Sequence, residues 1–207
     1  MDTMSSIRAF VGAEGLWAKA QKDGIIHLRH FVIKQNEKDY FEFLRHQSVQ
    51  IGDKIARVEM EKESPDLEIA YLGLMKGLNS KEDVKGMVSL ILRFRNVSHI
   101  DKAIEIWTKA DIRIEDLHRL GIEIHKAVIE SKVDSEQTDR YLEQIDVIDD
   151  DLLKLENSFS YTLGEASRWA RNVLLSALFL LTLLIIGVCI ILVLFIIKDI
   201  NRACPIT

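Results

Sequence analysis

Apolar residues recur along most of this chain in alternating steps of three and four, the spacing of one face of an α-helix. The pattern is clearest in the last third. Tyr141, Ile145, Ile148, Leu152, Leu155, Phe159, Thr162, Ala166, Trp169 and Val173 form an unbroken a/d seam. Ser135 stands where an N-cap belongs. No Gly–Pro break separates the seam from the apolar run behind it, so the pattern predicts one helix from about Ser135 to about Lys198, roughly 95 Å long. Ile100, Ala103, Trp107, Ala110, Ile114, Leu117, Gly121, Ile124 and Val128 repeat the rule, behind a Ser98–Asp101 pair spaced like a capping box. Residues 131–135 are polar and short, which predicts that these two helices are antiparallel neighbours.

The N-terminal half is less regular. A first helix is predicted over about Met4–Lys34, with Phe10, Ala13, Trp17, Ala20, Gly24 and Phe31 on one face. Gln35-Asn36-Glu37 makes a turn, and Tyr40, Leu44, Ile51, Ile55 and Val58 carry a second helix to about Glu63. Two shorter helices fit between Ser64 and Asn96. Ser64-Pro65 opens the first, with Pro at the first helical position, and Ser80 caps the second. Gly73 and Gly77 have the spacing of a membrane dimer motif, but Lys76 beside them favours close packing of a short helix. Proline occurs only at 65 and 205, and no strand-like alternation is present. The expected fold is all-α: an up-down four-helix bundle with two short inserted helices and a last helix that continues into one transmembrane span.

Charge sharpens the division. The chain has 207 residues, 32 acidic and 27 basic, yet none of these charges falls within Val173–Ile197. Ser176, Thr182 and Gly187 are the only residues of that stretch that are not apolar. It spans about 37 Å as a helix, enough to cross a hydrocarbon core of about 30 Å with some tilt. The predicted domains are a helical bundle over 1–170, a transmembrane helix over 171–198 and a short tail over 199–207. Without the apolar stretch the hydrophobic fraction falls from 48% to about 42%, an ordinary soluble value. Residues 1–170 carry a net charge of −7, which argues against nucleic acid as a partner. The two cysteines, Cys189 and Cys204, both lie beyond the bundle, so packing alone must hold it.

Candidate chemistry is sparse. His27 and His30, and His118 and His125, could each share a helix face, but neither pair completes a ligand set, so no metal and no cofactor is expected. Asp149, Asp150 and Asp151 point about 100° apart on a helix and read as a solvated face. No nucleophile–base pair, phosphate loop or paired catalytic carboxylate is recognisable, and no catalytic residue is assigned. Trp17 and Trp107 fall on inward faces. Their plain reading is core, and the sharper one is that they line a small-molecule pocket between helices. Arg168, Trp169 and Arg171 before the apolar run, and Lys198 after it, have the make-up of membrane-interface belts.

Three stretches together resemble a known group. They are Arg8 to Asp23 (RAFVGAEGLWAKAQKD), Arg93-Phe-Arg-Asn-Val97 through Ile104-Glu-Ile-Trp107, and Thr162 to Trp169 (TLGEASRW). They resemble the N-terminal helical sensor region of bacterial membrane signalling proteins, over about residues 7–200. There a periplasmic bundle sits between two transmembrane helices, and a histidine kinase, diguanylate cyclase or phosphodiesterase follows. The resemblance implies a sensory input module in the bacterial inner membrane, working as a homodimer. Two features depart from it. Met1–Ser6 is too short and polar for the first span, with no apolar core of a signal peptide, and no HAMP-like pair, kinase motif or Gly-Gly-Asp-Glu-Phe motif follows the apolar run. Two readings therefore stand. One is a receptor fragment with a periplasmic bundle, open to a small ligand or partner protein. The other is a tail-anchored interaction protein with a cytoplasmic bundle. Two basic residues flank each end of the span, so charge does not choose between them.

Overall fold

The protein is described here by a computed structural model that places the backbone of residues 3–203, and the side chains of these except 3, 4, 7 and 199–203. Cys204 and the rest of the tail beyond it lie outside the described residues. Six α-helices follow one another: α1 (Thr3–Lys34), α2 (Glu37–Glu61), α3 (Leu67–Lys76), α4 (Lys81–Phe94), α5 (Ser98–Ile129) and α6 (Ser135–Ala203). No strand occurs among the described residues. The chain divides into two compact units, Met1–Gly164 and Glu165–Thr207.

Short polar side chains start the helices by accepting the backbone N–H groups that a first turn leaves free. Asn36 accepts from the Lys38 N–H and Ser80 from the Glu82 N–H. Three starts differ from the sequence expectation. Asp66, which accepts from the Glu68 and Ile69 N–H groups, caps α3, so Pro65 lies outside the helix. At α6 the Asp134 carboxylate, not the Ser135 hydroxyl, reaches the Gln137 N–H at 2.8 Å. At α5 the capping position falls on Val97, which has no side-chain oxygen, and the Ser98–Asp101 box does not form. The left-handed residues at helix ends are not glycine. Leu78 (φ 65°) and Ser131 (φ 50°) adopt the left-handed conformation, and paired backbone bonds complete a Schellman motif at each. The motif after α3 uses Asn79 N–H to Leu74 C=O and Leu78 N–H to Met75 C=O.

Within the first unit, side-chain contacts link α1, α2, α5 and α6. His27 faces Asp39 across the α1–α2 turn, and Gln47 and Lys54 of α2 face His118 and Glu115 of α5. Trp107 of α5 meets Phe159 of α6 edge-on, and Lys22 and Arg29 of α1 reach Glu156 and Asp149 of α6. One core draws on all four: Leu28 and Phe31, Phe43, Leu117 and Ile124, and Ile145 and Leu152. Each such side chain contributes about 1.5–3 kcal/mol of burial. The seams read for α5 and α6 face this core or its edge as far as Thr162.

A second core joins α3 and α4 to the rest through Ala56, Met60, Leu74, Val84, Met87 and Ile91, with Phe10 and Trp107 against it. The two short helices therefore pack against α2 and share a core with it. Glycines bring them in. A methyl group on Gly73 would stand 2.7 Å from the Ala56 nitrogen, and one on Gly52 would stand 2.7 Å from the Gly77 nitrogen. Backbone meets backbone here, so the Gly73–Gly77 spacing serves packing within one chain.

The second unit is simpler. It contains the apolar stretch, with Val173–Ile197 exposed apart from half-exposed Gly187. This part of α6 is long and apolar enough to cross a membrane.

Two glycine substitutions test this packing in a fragment of residues 1–170. Gly73→Ala is expected to destabilise it by about 2–3 kcal/mol in urea melts followed by circular dichroism, because backbone atoms cannot swing aside. Gly12→Ala, where nothing lies within 4 Å, is expected to stabilise it by about 0.5–1 kcal/mol through helix propensity alone.

Candidate functional site

The helix that departs most from its pattern builds the site. Ile55 and Val58 of α2 are exposed and Ile51 is half-exposed, although they belong to the apolar spacing that carries the helix. Gln47, Gln50, Asp53 and Arg57, a polar stripe at the same helical spacing, are buried instead. The glycine contact with α3 explains the rotation: Gly52 must face Gly73 and Gly77, which turns Asp53 and Arg57 inward with it.

Each buried polar group then has a partner to find. Arg57 donates from Nε to Asp111 Oδ2 at 2.8 Å, with Nη2 at 2.7 Å from the same oxygen, and from Nη1 to Glu61 at 2.7 Å. Asp53 accepts from Asn79 Nδ2 at 3.2 Å. Its carboxylate occupies the space that a side chain on residue 77 would fill, which makes glycine necessary there. Gln50 accepts from the Gln21 backbone N–H and donates to the His46 and Gln47 carbonyls. Of the two buried carboxylates, Asp111 thus has a guanidinium and Asp53 an amide. Burial pushes Asp111 up to about 6, against the pull of Arg57. Burial and the charge of Asp111 push Asp53 well above the usual carboxylate range.

A cavity of about 60 Å³ opens beside this pair. All six helices line it: Phe10, Ala13, Glu14 and Trp17 from α1, Asp53 from α2, Leu74 from α3 and Met87 from α4. Ile106, Trp107 and Ala110 from α5, and Leu155, Glu156 and Phe159 from α6, complete it. The structure therefore brings Trp17 and Trp107 to one wall-to-wall site. Their indole nitrogens are sealed from solvent and have no hydrogen-bond partner among the described residues, and the same holds for Glu156 Oε2. Two donors and one acceptor are thus left unused around an apolar space. A buried water needs at least about 10–15 Å³, so the cavity suits a ligand of a few heavy atoms and is too small for a nucleotide or a sugar.

The other singled-out residues lie elsewhere. His118 bonds Gln47, and His125 stacks on Tyr40 with ring centres 3.9 Å apart and bonds Glu37. Asp149 turns to Arg29, Asp151 pairs with Lys154, and Asp150 is exposed, so the acidic triplet splays as its spacing requires. Arg168, Trp169, Arg171 and Lys198 are exposed in the second unit. Missing from the sequence reading are Asp53, Arg57 and Asp111, whose buried partners are 26 or more residues away.

No known protein family, curated protein or solved structure matches this chain.

The two raised carboxylates set a pH dependence. A carboxyl whose folded pKa exceeds its unfolded value near 3.8 favours the folded state when protonated, so stability falls as pH rises through that window. For Asp111 the window runs from about 4 to about 6, with a loss on the order of 2–3 kcal/mol. Asp53→Asn, which removes a second carboxyl raised by burial, is expected to flatten the overall slope and to raise the urea midpoint at pH 7. Melts of the 1–170 fragment between pH 4.5 and 7.5 measure both.

Proposed function

We propose that this protein is the sensory input module of a bacterial inner-membrane signalling receptor. The observation that carries the reading is the cavity with two unused indole donors, lined by α6, the helix that also holds the apolar Val173–Ile197 stretch. In this reading α1, α2, α5 and α6 form an up-down four-helix bundle in the periplasm, with α3 and α4 inserted. Trp17 and Trp107 hold a small ligand through hydrogen bonds to its acceptor atoms, and Glu156 accepts from its donor. Filling the cavity shifts Leu155 and Phe159, and α6 carries the shift into the bilayer. Arg168, Trp169 and Arg171 seat one membrane interface and Lys198 the other. Two copies pair, as the resemblance implies, and an enzyme output lies outside this chain.

A second reading has its own support. Ile51, Ile55 and Val58 line a groove of about 480 Å³ between α2 and α5, an apolar surface suited to a protein partner. That favours a tail-anchored interaction protein with a cytoplasmic bundle.

Two experiments divide the readings. A kinase output is grafted after Lys198, and alanines are inserted between Ala170 and Arg171. One inserted residue turns everything beyond it by about 100° and lengthens the helix by about 1.5 Å, whereas seven restore the facing to within about 20°. Basal output is expected to change sharply with one or two alanines and to recover largely with seven; indifference to insertion length reduces α6 to an anchor. Topology is read with Ser135→Cys in a chain whose Cys189 and Cys204 are serine. An impermeant thiol reagent is expected to label it in intact cells with a permeable outer membrane. Protection that is lost on lysis favours the tail-anchored reading.

A further inference from the structure

The α1–α2 hairpin carries a second cluster, independent of the cavity and of the sensor reading. Only Gln35 and Asn36 separate the two helices, so His27 near the end of α1 lies opposite the first turns of α2. Gly24, one turn before His27, lets the helices close up: a methyl group there would already touch the His46 Cβ at 3.4 Å. The His27 and His46 rings consequently stack, 13° from parallel, with centres 5.7 Å apart. His27, Glu42 and His46 each place one donor atom within 4.8 Å of the others.

We propose that His27, His46 and Glu42 form a divalent transition-metal site that clips α1 to α2, with zinc as the ion its donors suit. Two imidazoles and one carboxylate are a common zinc ligand set and leave a fourth position for water. Second-sphere geometry supports it. Asp39 Oδ1 lies 3.0 Å from His27 Nδ1, placed to accept the Nδ1–H and leave Nε2 free to coordinate. His30 Nδ1 is 3.8 Å from the same Asp39 oxygen, which makes His30 a neighbour of the supporting carboxylate and not a ligand. A cation already joins two of the donors. Arg45 donates from Nε to Glu42 Oε2 at 2.7 Å and lies with Nη2 3.0 Å from His46 Nε2. A guanidinium can only donate, so the His46 lone pair faces that position. The Arg45 side chain is 63% exposed, so an incoming ion displaces it into water at little expense. Sequence spacing concealed the site because its ligands come from two helices.

The test uses the untagged full chain in detergent micelles, titrated with Co²⁺ alone and with Zn²⁺ alone. One equivalent of Co²⁺ is expected to give the intense visible absorption of a four-coordinate site, bleached by one equivalent of Zn²⁺. His46→Ala and Glu42→Ala should each abolish the band or weaken binding at least tenfold. Asp39→Asn should weaken binding about 10–100-fold while the band survives. His30→Ala should leave it unchanged. Arg45→Ala should tighten binding, an outcome that a merely unfolded variant cannot produce. Circular dichroism confirms that each variant keeps its helices. No saturable Co²⁺ binding overturns the proposal. Binding that survives both His46→Ala and Glu42→Ala, or is lost with His30→Ala, assigns the ion to other residues and equally overturns it.

Discussion

Asp53 and Asp111 are both buried in the first unit, the Arg57 guanidinium pairs with only the second of them, and much of the structure is arranged around that imbalance. Arg57 pairs with one oxygen of Asp111, and Asp53 is left with the Asn79 amide. Two ionised carboxylates beside a single cation in a water-poor interior would leave a net negative charge there, so burial raises both and Asp53 most. A wholly apolar arrangement would avoid that cost. What forbids it is the fit between α2 and α3. Their glycines must meet for the backbones to touch, and that contact fixes which residues of α2 look inward.

This coupling explains why the sequence is readable in some places and opaque in others. The a/d seams of α5 and α6 locate the core correctly because nothing else competes for those faces: Ala110, Ile114 and Leu117, and Tyr141, Ile145 and Leu152, are all buried. In α2 the apolar stripe at Ile51, Ile55 and Val58 obeys the same period and points outward. Hydrophobic periodicity measures one helix at a time, whereas the rotation of α2 is decided by a glycine contact with another helix. Helix starts show the same limit on a smaller scale. Ser135 and Asp134 are both good caps on paper, and only backbone geometry makes the carboxylate the one that reaches an N–H.

The sites follow the same logic. Trp17 and Trp107 could be singled out because a tryptophan on an inward face is conspicuous. Their meeting at one cavity depends on the second core, in which Leu74 and Met87 hold the far wall. Asp53, Arg57 and Asp111 carried no local signature, since isolated charges in an amphipathic helix ordinarily face water. The sequence pairs His27 with His30 and not with His46 for a related reason: His27 and His46 are 19 positions apart and become neighbours only after the chain turns at Gln35 and Asn36.

The glycine seam between α2 and α3 also has a mechanical meaning. Where side chains separate two helices, rotamer changes absorb small displacements. At Gly52, Gly73 and Gly77 no such cushion exists, and main chain rests on main chain. The wall of the cavity that contains Asp53 and Leu74 is therefore stiff. The opposite wall, where Trp107 meets Phe159 edge-on and Leu155 lies alongside, is made of long side chains and yields more easily. Any swelling of the cavity is consequently directed away from the α2–α3 pair and toward α5 and α6. A space bounded by one hard side and one soft side turns a change of volume into a change of direction.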